Sequence, residues 1–222
     1  MALLFIIVGA VFDFLDGMSA RLLRVSSPIG KELDSLADVV TFGVAPSAML
    51  FRFLHDTPAP HAVHLPFVPF LAFVMAAFSA LRLAKFNLDK RQAVDFIGLP
   101  TPANALFWGG LLAGMSDSCG QWAATAPPSA LCGGAHTFTT YILLALMALS
   151  CALLVCEMPM FSLKFKTWGW RGNEVRYFFL LLCVPLVGFL GTTGLAAAVA
   201  CYVAVAAVCS LGRRSASGTV NP

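Results

Sequence analysis

A chain of 222 residues that is 59% hydrophobic, only 11% charged and of mean hydropathy +0.84 is far more apolar than a soluble domain, about a quarter of which is charged. This composition excludes a water-soluble enzyme or a nucleic-acid-binding module. The absence of regularly alternating segments of about ten residues argues against an outer-membrane barrel, leaving an all-α, polytopic transmembrane bundle. The net charge of +3 says less than the placement of the charges.

The first helix is predicted over Met1–Val25, and Ser26-Ser27-Pro28-Ile29-Gly30 breaks it. The second spans Lys31–Leu54 and is followed by a polar loop, His55–His64. The third covers Leu65–Leu88 and leads into a basic tract containing Lys90 and Arg91. A fourth starts near Pro102, because proline is tolerated in a first turn, and ends near Met115. Residues Ser116–His136 read as a loop. The fifth helix runs over Thr137–Phe161, before a basic and aromatic stretch suited to a membrane interface.

The apolar region Tyr177–Leu211 is too long for one crossing, and Gly191-Thr192-Thr193-Gly194 divides it in two. The expectation is seven spans in one domain, 1–211, with a polar, disordered cytoplasmic tail at 212–222. Of the 14 Lys and Arg residues, all but Arg52 follow odd-numbered helices, which puts those ends in the cytoplasm. Seven crossings would then leave Met1 outside. A further N-terminal span, an eighth, is therefore expected to be missing upstream, with a true seven-span form as the alternative.

Four aspartates interrupt this apolar background, Asp13, Asp16, Asp34 and Asp38, with Arg21 between the two pairs. A carboxylate at membrane depth is costly and marks an ion, proton or substrate site. The pairs are spaced three and four apart, so each lies on one face of its helix. Asp13 falls about 18 Å from the outer end of helix one, within the cytoplasmic half of a core about 30 Å thick. The tight turn brings helix two back antiparallel, so the four can meet in a cage open to the cytoplasm.

Four carboxylates stay ionised together only when cations neutralise them, and hard oxygen ligands suit Mg²⁺, Mn²⁺ or Ca²⁺. Two such ions would clamp a diphosphate and its leaving group. Gly17 and Ala20 share the helical side of Asp13 and Asp16 and leave room for a bulky ligand, while Arg21 offers a forked phosphate donor. Helix packing for the small residues, and snorkelling for Arg21, are equally open readings.

The pattern Asp13-x2-Asp16-Gly17-x2-Ala20-Arg21-x8-Gly30-x3-Asp34-x3-Asp38 resembles the signature of the CDP-alcohol phosphotransferase family at every residue and spacing. The stretches Glu32–Ser47, Leu81–Asn87, Phe96–Ala105 and Met160–Lys166 are similar to the phosphatidylserine-forming branch of that family, of the bacterial and archaeal integral-membrane type. The resemblance extends from Met1 to about Arg176, and the last two helices match only in hydrophobicity.

The resemblance implies transfer of the phosphatidyl group of CDP-diacylglycerol to the hydroxyl of L-serine, releasing CMP, in the cytoplasmic (inner) membrane. By it, Asp13, Asp16 and Asp34 would ligate two Mg²⁺ or Mn²⁺ ions. Asp38 would be the general base and touch the second metal. Gly17, Ala20, Arg21 and Gly30 would receive the CDP-lipid, and a homodimer is implied.

Arg82, Lys85 and Asn87 could hold the acceptor or a lipid phosphate, or serve as an interfacial anchor. Thr101 and Asn104 either approach the site or form a structural turn. No histidine among His55, His61, His64 and His136 is expected to be catalytic. Gly110 and Gly114 read as internal helix packing. The seven cysteines form no metal-binding pattern, and Cys119 and Cys132 share a loop in which a disulfide or two free thiols could stand. Two competing functions are the same chemistry with glycerol 3-phosphate or an inositol phosphate as acceptor, and a cation-coupled transporter.

Overall fold

The computed structural model describes residues 1–24, 27–56, 67–88, 96–125, 134–157, 159–160 and 174–217. The first helix, α1 (Ala2–Leu23), ends on Arg24 in the left-handed region, φ 54°, whose N–H returns to the Ala20 and Arg21 carbonyls. Helix α2 (Pro28–Asp38) starts sooner than Lys31. Ser27 caps it by accepting from the Gly30 N–H at 2.9 Å, and Pro28 at the first position has its φ already set for a helix. Of the predicted break, Pro28, Ile29 and Gly30 are thus already helical, and Ser26 lies outside the described residues.

Beyond Asp38 the chain does not leave the helical path. Val39–Val44 form a π turn, in which the Ala45 N–H donates to the Val40 carbonyl, and α3 (Ala45–Asp56) continues the rod. Pro46 supplies the physical cause. A proline inside a helix lacks an N–H and presses on the carbonyl four residues back, here Phe42, and a widened turn relieves that clash. A 3₁₀ turn, Pro69–Phe73, then leads into α4 (Val74–Leu88).

Other boundaries differ from expectation as well. Helix α5 (Thr101–Thr125) runs ten residues past Met115. Gln121, Ala123 and Ala124 are good helix formers, and Pro127 is the first residue that forbids continuation. Helix α6 (Gly134–Val155) stops before Phe161 because Pro159 and Met160 form a two-residue strand. That strand pairs antiparallel with Phe96–Ile97, a contact for which the sequence offered no alternation. The predicted division at Gly191 is observed, between α7 (Glu174–Leu190) and α8 (Thr192–Ser217), with Gly191 itself at φ 58°. Helix α8 continues past Leu211, so positions 212–217, expected in a disordered tail, are helical.

Among the described residues four segments are long and apolar enough to cross a membrane: Ala2–Leu23, Pro28–Asp56, Pro69–Leu88 and Phe138–Val155. Leu181–Leu190 and Thr192–Ala207 are apolar but shorter. The described residues are thus those of a helical membrane protein, with one short strand pair among them. Large apolar side chains on α1, among them Phe5, Phe12, Phe14 and Leu22, point outward, as lipid-facing residues do.

Close packing follows small residues, since lipid tails compete with side chains for apolar contact. Gly110 and Gly114 of α5 receive Thr192, Thr193 and Leu195 of α8, so this G-x-x-x-G is an internal packing seam, as read. One buried cluster joins Leu50 and Leu54 to Met75, Trp108, Leu143 and Met147, with the Trp108 indole N–H donating to Ser150 Oγ at 3.1 Å. A second gathers Leu99, Leu154, Phe179, Tyr202 and Ala206, seating α7 and α8. A third, Ile6 with Phe42 and Ala105, locks α1, the π turn and α5 together.

Candidate active site

Three helix registers converge on one level of the bundle. Along α1 and α5, Gly109 meets Leu3 and Ile6, and Ala105 packs with Ile6 and Ala10. The two helices therefore run antiparallel, and one turn further along each brings Asp13 level with Thr101. Along α4, Ser79 abuts Gly43 of the π turn, and the Asn87 amide donates to Ser35 Oγ of α2 at 2.9 Å. Between those two fixed points Arg82 lies level with Asp38.

Three of the four aspartates expected to meet are grouped together. One carboxylate oxygen each from Asp13, Asp16 and Asp34 lie within 4.8 Å of one another. Asp38 is within electrostatic reach of all three. Asp13 and Asp38 are half-buried, whereas Asp16 and Asp34 open to the exterior. Three convergent carboxylates repel strongly, and no cationic side chain is bonded to them among the described residues. Their oxygen-only donor set fits a hard divalent cation, Mg²⁺ or Mn²⁺ type. The meeting depends on close approach of α1 to the π turn. Gly9 allows it, since a Cβ there would come within 2.5 Å of Thr41 Cγ2.

The remaining predicted residues divide. Arg21, exposed, folds back so that its Nε donates to the Gly17 carbonyl at 2.9 Å, one turn from Asp16. Ala20 and Gly30 are exposed and Gly17 partly so, at the open side of the cluster. Gly30 also has a capping reason, as a Cβ there would meet Ser27 Oγ at 2.9 Å.

Arg82 and Lys85, paired in the sequence reading, are unlike. Lys85 is exposed, whereas Arg82 is buried, within electrostatic reach of Asp38 and Tyr202, its Cζ 6.0 Å from the Phe86 ring centroid. Asn87 has a tethering role, tying α4 to the serine beside Asp34. Thr101 and Asn104 are buried at the start of α5.

His55 hydrogen-bonds Asp56 and stacks on Phe51 at the far end of α3, away from the aspartates. His61, His64, Lys90, Arg91, Cys132 and the side chains of His136 and Cys119 lie outside the described residues. Tyr202 was missed by the sequence reading. A single tyrosine in the apolar α8 gave no motif, and only the fold brings it towards Arg82.

A family model described as CDP-alcohol phosphatidyltransferase matches residues 1–168. The chain is 45% identical over 102 residues to the CDP-diacylglycerol–serine O-phosphatidyltransferase of Bacillus subtilis, covering 46% of this chain and 54% of that one. It is 43% identical over 107 residues to the protein of that name from Saccharomyces cerevisiae, covering 44% and 36% of the two. The like-named protein of Methanocaldococcus jannaschii is 40% identical over 101 residues, covering 46% and 45%. The chain spans about half the length, or less, of the curated relatives it matches. The match of the family model to 1–168 includes all four aspartates and Arg82. The chain belongs to the CDP-alcohol phosphatidyltransferase family.

Proposed function

We propose that this chain transfers the phosphatidyl group of CDP-diacylglycerol to the hydroxyl of L-serine, giving phosphatidylserine and CMP. The observation that carries the reading is the convergence of Asp13, Asp16 and Asp34 beside Asp38, with a buried arginine facing that fourth carboxylate. The three relatives named above, from a bacterium, a yeast and an archaeon, bear serine-specific names, which favours serine over a phosphorylated acceptor.

In this reading Asp13, Asp16, Asp34 and Asp38 would hold two Mg²⁺ or Mn²⁺ ions. When bound, these would neutralise the diphosphate and its departing oxygen. Asp38 takes the proton of the serine hydroxyl as the oxygen closes on the phosphorus that bears diacylglycerol. The bond from that phosphorus to the CMP oxygen breaks, and CMP departs with its electron pair. A serine hydroxyl is a weak nucleophile at neutral pH, and a positioned base contributes roughly 10²–10⁴-fold.

Arg21 offers its free guanidinium nitrogens to the diphosphate, with Gly17, Ala20 and Gly30 leaving space for the nucleotide. Arg82, shielded from competing solvent, takes the carboxylate of serine. Lys85, exposed on the same helix, serves the lipid phosphate. The reading includes seven crossings, an active site facing the cytoplasm at the inner membrane, as the basic residues suggest, and a homodimer, as in the resembling family.

The test is CMP release from CDP-diacylglycerol by the purified protein, with Mg²⁺ or Mn²⁺, with and without L-serine. Serine-dependent release abolished by EDTA and by Asp38→Asn supports it. Release that follows glycerol 3-phosphate or an inositol phosphate overturns the acceptor, and cation flux without CMP release overturns the chemistry.

A further inference from the structure

Beside the carboxylate cluster lies a set of buried polar atoms, of which the proposed chemistry uses Arg82 alone. Asn104 is 0% exposed and Thr101 is 1% exposed, and they lie three apart on one face of the first turn of α5. Asn104 Nδ2, Asn104 Oδ1 and Thr101 Oγ1 have no hydrogen-bond partner among the described residues, nor does Nε of Arg82, which is 7% exposed. Buried polar atoms are nearly always paired, and leaving one alone is costly. Four such atoms at one level of one bundle are too many for incidental packing defects.

Their level is that of the reaction. Ala105, next to Asn104, packs on Ile6, Ala10 and Phe42, so the first turn of α5 sits one helical turn from Asp13 along α1 and from Asp38 along the rod. Arg82 approaches the same carboxylate from α4. The unpaired set is also chemically mixed. Arg82 Nε and Asn104 Nδ2 donate, Asn104 Oδ1 accepts, and Thr101 Oγ1 does either. A purely anionic acceptor, such as a sugar phosphate, would satisfy the donors and strand Oδ1. A zwitterion satisfies both kinds at once.

We propose that Asn104 and Thr101 are specificity-determining residues that bind the ammonium group of an amino-acid acceptor while Arg82 binds its carboxylate. This rests on the serine reading above and deepens it. Asn104 Oδ1 accepts from the ammonium, Nδ2 donates toward the carboxylate, and the Thr101 hydroxyl completes the ammonium shell. The serine hydroxyl is left to face Asp38.

The test compares L-serine with 3-hydroxypropionate, which keeps the hydroxyl and carboxylate and lacks the amine. The wild-type protein is expected to favour serine in kcat/KM by about 10² or more, as sites built to hydrogen-bond a polar group reject analogues without it. Asn104→Leu, close in shape, is expected to cut that preference about tenfold or more, by raising the KM for serine while the KM for CDP-diacylglycerol stays as in wild type. Thr101→Val should act in the same direction and provides the measurement if Asn104→Leu does not fold.

A wild-type protein that uses both acceptors equally well overturns the proposal without any variant. So does an unchanged preference in a folded, active variant, which would mean that water rather than substrate satisfies these atoms. In both cases serine-dependent CMP release by the wild type shows that the functional reading survives. If the wild type instead releases CMP only with a phosphorylated polyol, the serine reading and the inference fall together.

Discussion

Gly9 lies four residues before Asp13, and its lack of a side chain decides how closely α1 approaches the π turn that follows Asp38. In Gly9→Ala the new Cβ would stand 2.5 Å from Thr41 Cγ2, while ordinary contact begins near 3.4 Å. About 0.9 Å must therefore be found, by tilting α1 or by turning Thr41, whose Cβ and Oγ1 already lie 3.8 Å away. Overpacking of this kind costs about 1–3 kcal/mol. Because Asp13 is one turn below, the tilt also pulls it away from Asp34 and Asp38, and a misplacement near 1 Å can cost about 10²-fold in rate.

The expected result in detergent is a lower Tm together with a loss of CMP release larger than the Tm change alone explains. Thr41→Ser removes only the clashing methyl. The double variant Gly9→Ala/Thr41→Ser should regain most of both losses, a coupling that independent sites would not show. Wild-type activity and Tm in Gly9→Ala would refute the argument. So would a Thr41→Ser background that gives no rescue, since the contact would then not be the one that positions Asp13.

Other outcomes follow from the same geometry. Mn²⁺ should raise the Tm of the purified protein in a concentration-dependent way, by mass action on the folded state, and Asp13→Asn or Asp34→Asn should weaken that shift whether or not activity survives. The Asn87–Ser35 hydrogen bond, at 2.9 Å, should couple α4 to α2. Asn87→Ala and Ser35→Ala should each cost about 1 kcal/mol and together scarcely more than one of them, read as Tm in a double-variant cycle. Gly110→Val should sharply lower Tm by forcing α5 from α8, because a Cβ there already meets the Thr192 carbonyl at 2.7 Å. Arg82→Met should raise the KM for serine far more than the KM for CDP-diacylglycerol, and Lys85→Met, at an exposed position, should not.

Local periodicity carried much of the architecture. The aspartate spacings required two helical faces, the short turn required those helices to be antiparallel, and both requirements are met in the cluster. Gly191 was recognisable because it interrupts an apolar run, and a positive φ is its use there. What stayed hidden is non-local or depends on a balance of weak preferences. The π turn arises from Pro46 acting on the carbonyl of a neighbour one turn away, inside a stretch whose composition reads as ordinary helix.

The strand pair joins Phe96–Ile97 to Pro159–Met160, segments too short to alternate. Arg82 and Lys85 look equivalent in the sequence, three apart in one basic tract, yet one is buried and the other exposed. That difference is fixed by rotation of α4, which Ser79 against Gly43 and Asn87 on Ser35 set from either side of Arg82. A buried guanidinium needs an anionic partner to offset its desolvation, and Asp38 lies within its reach. The same rotation that makes Arg82 costly to bury therefore aims it at the level of Asp38, where the proposed reading seats the acceptor carboxylate.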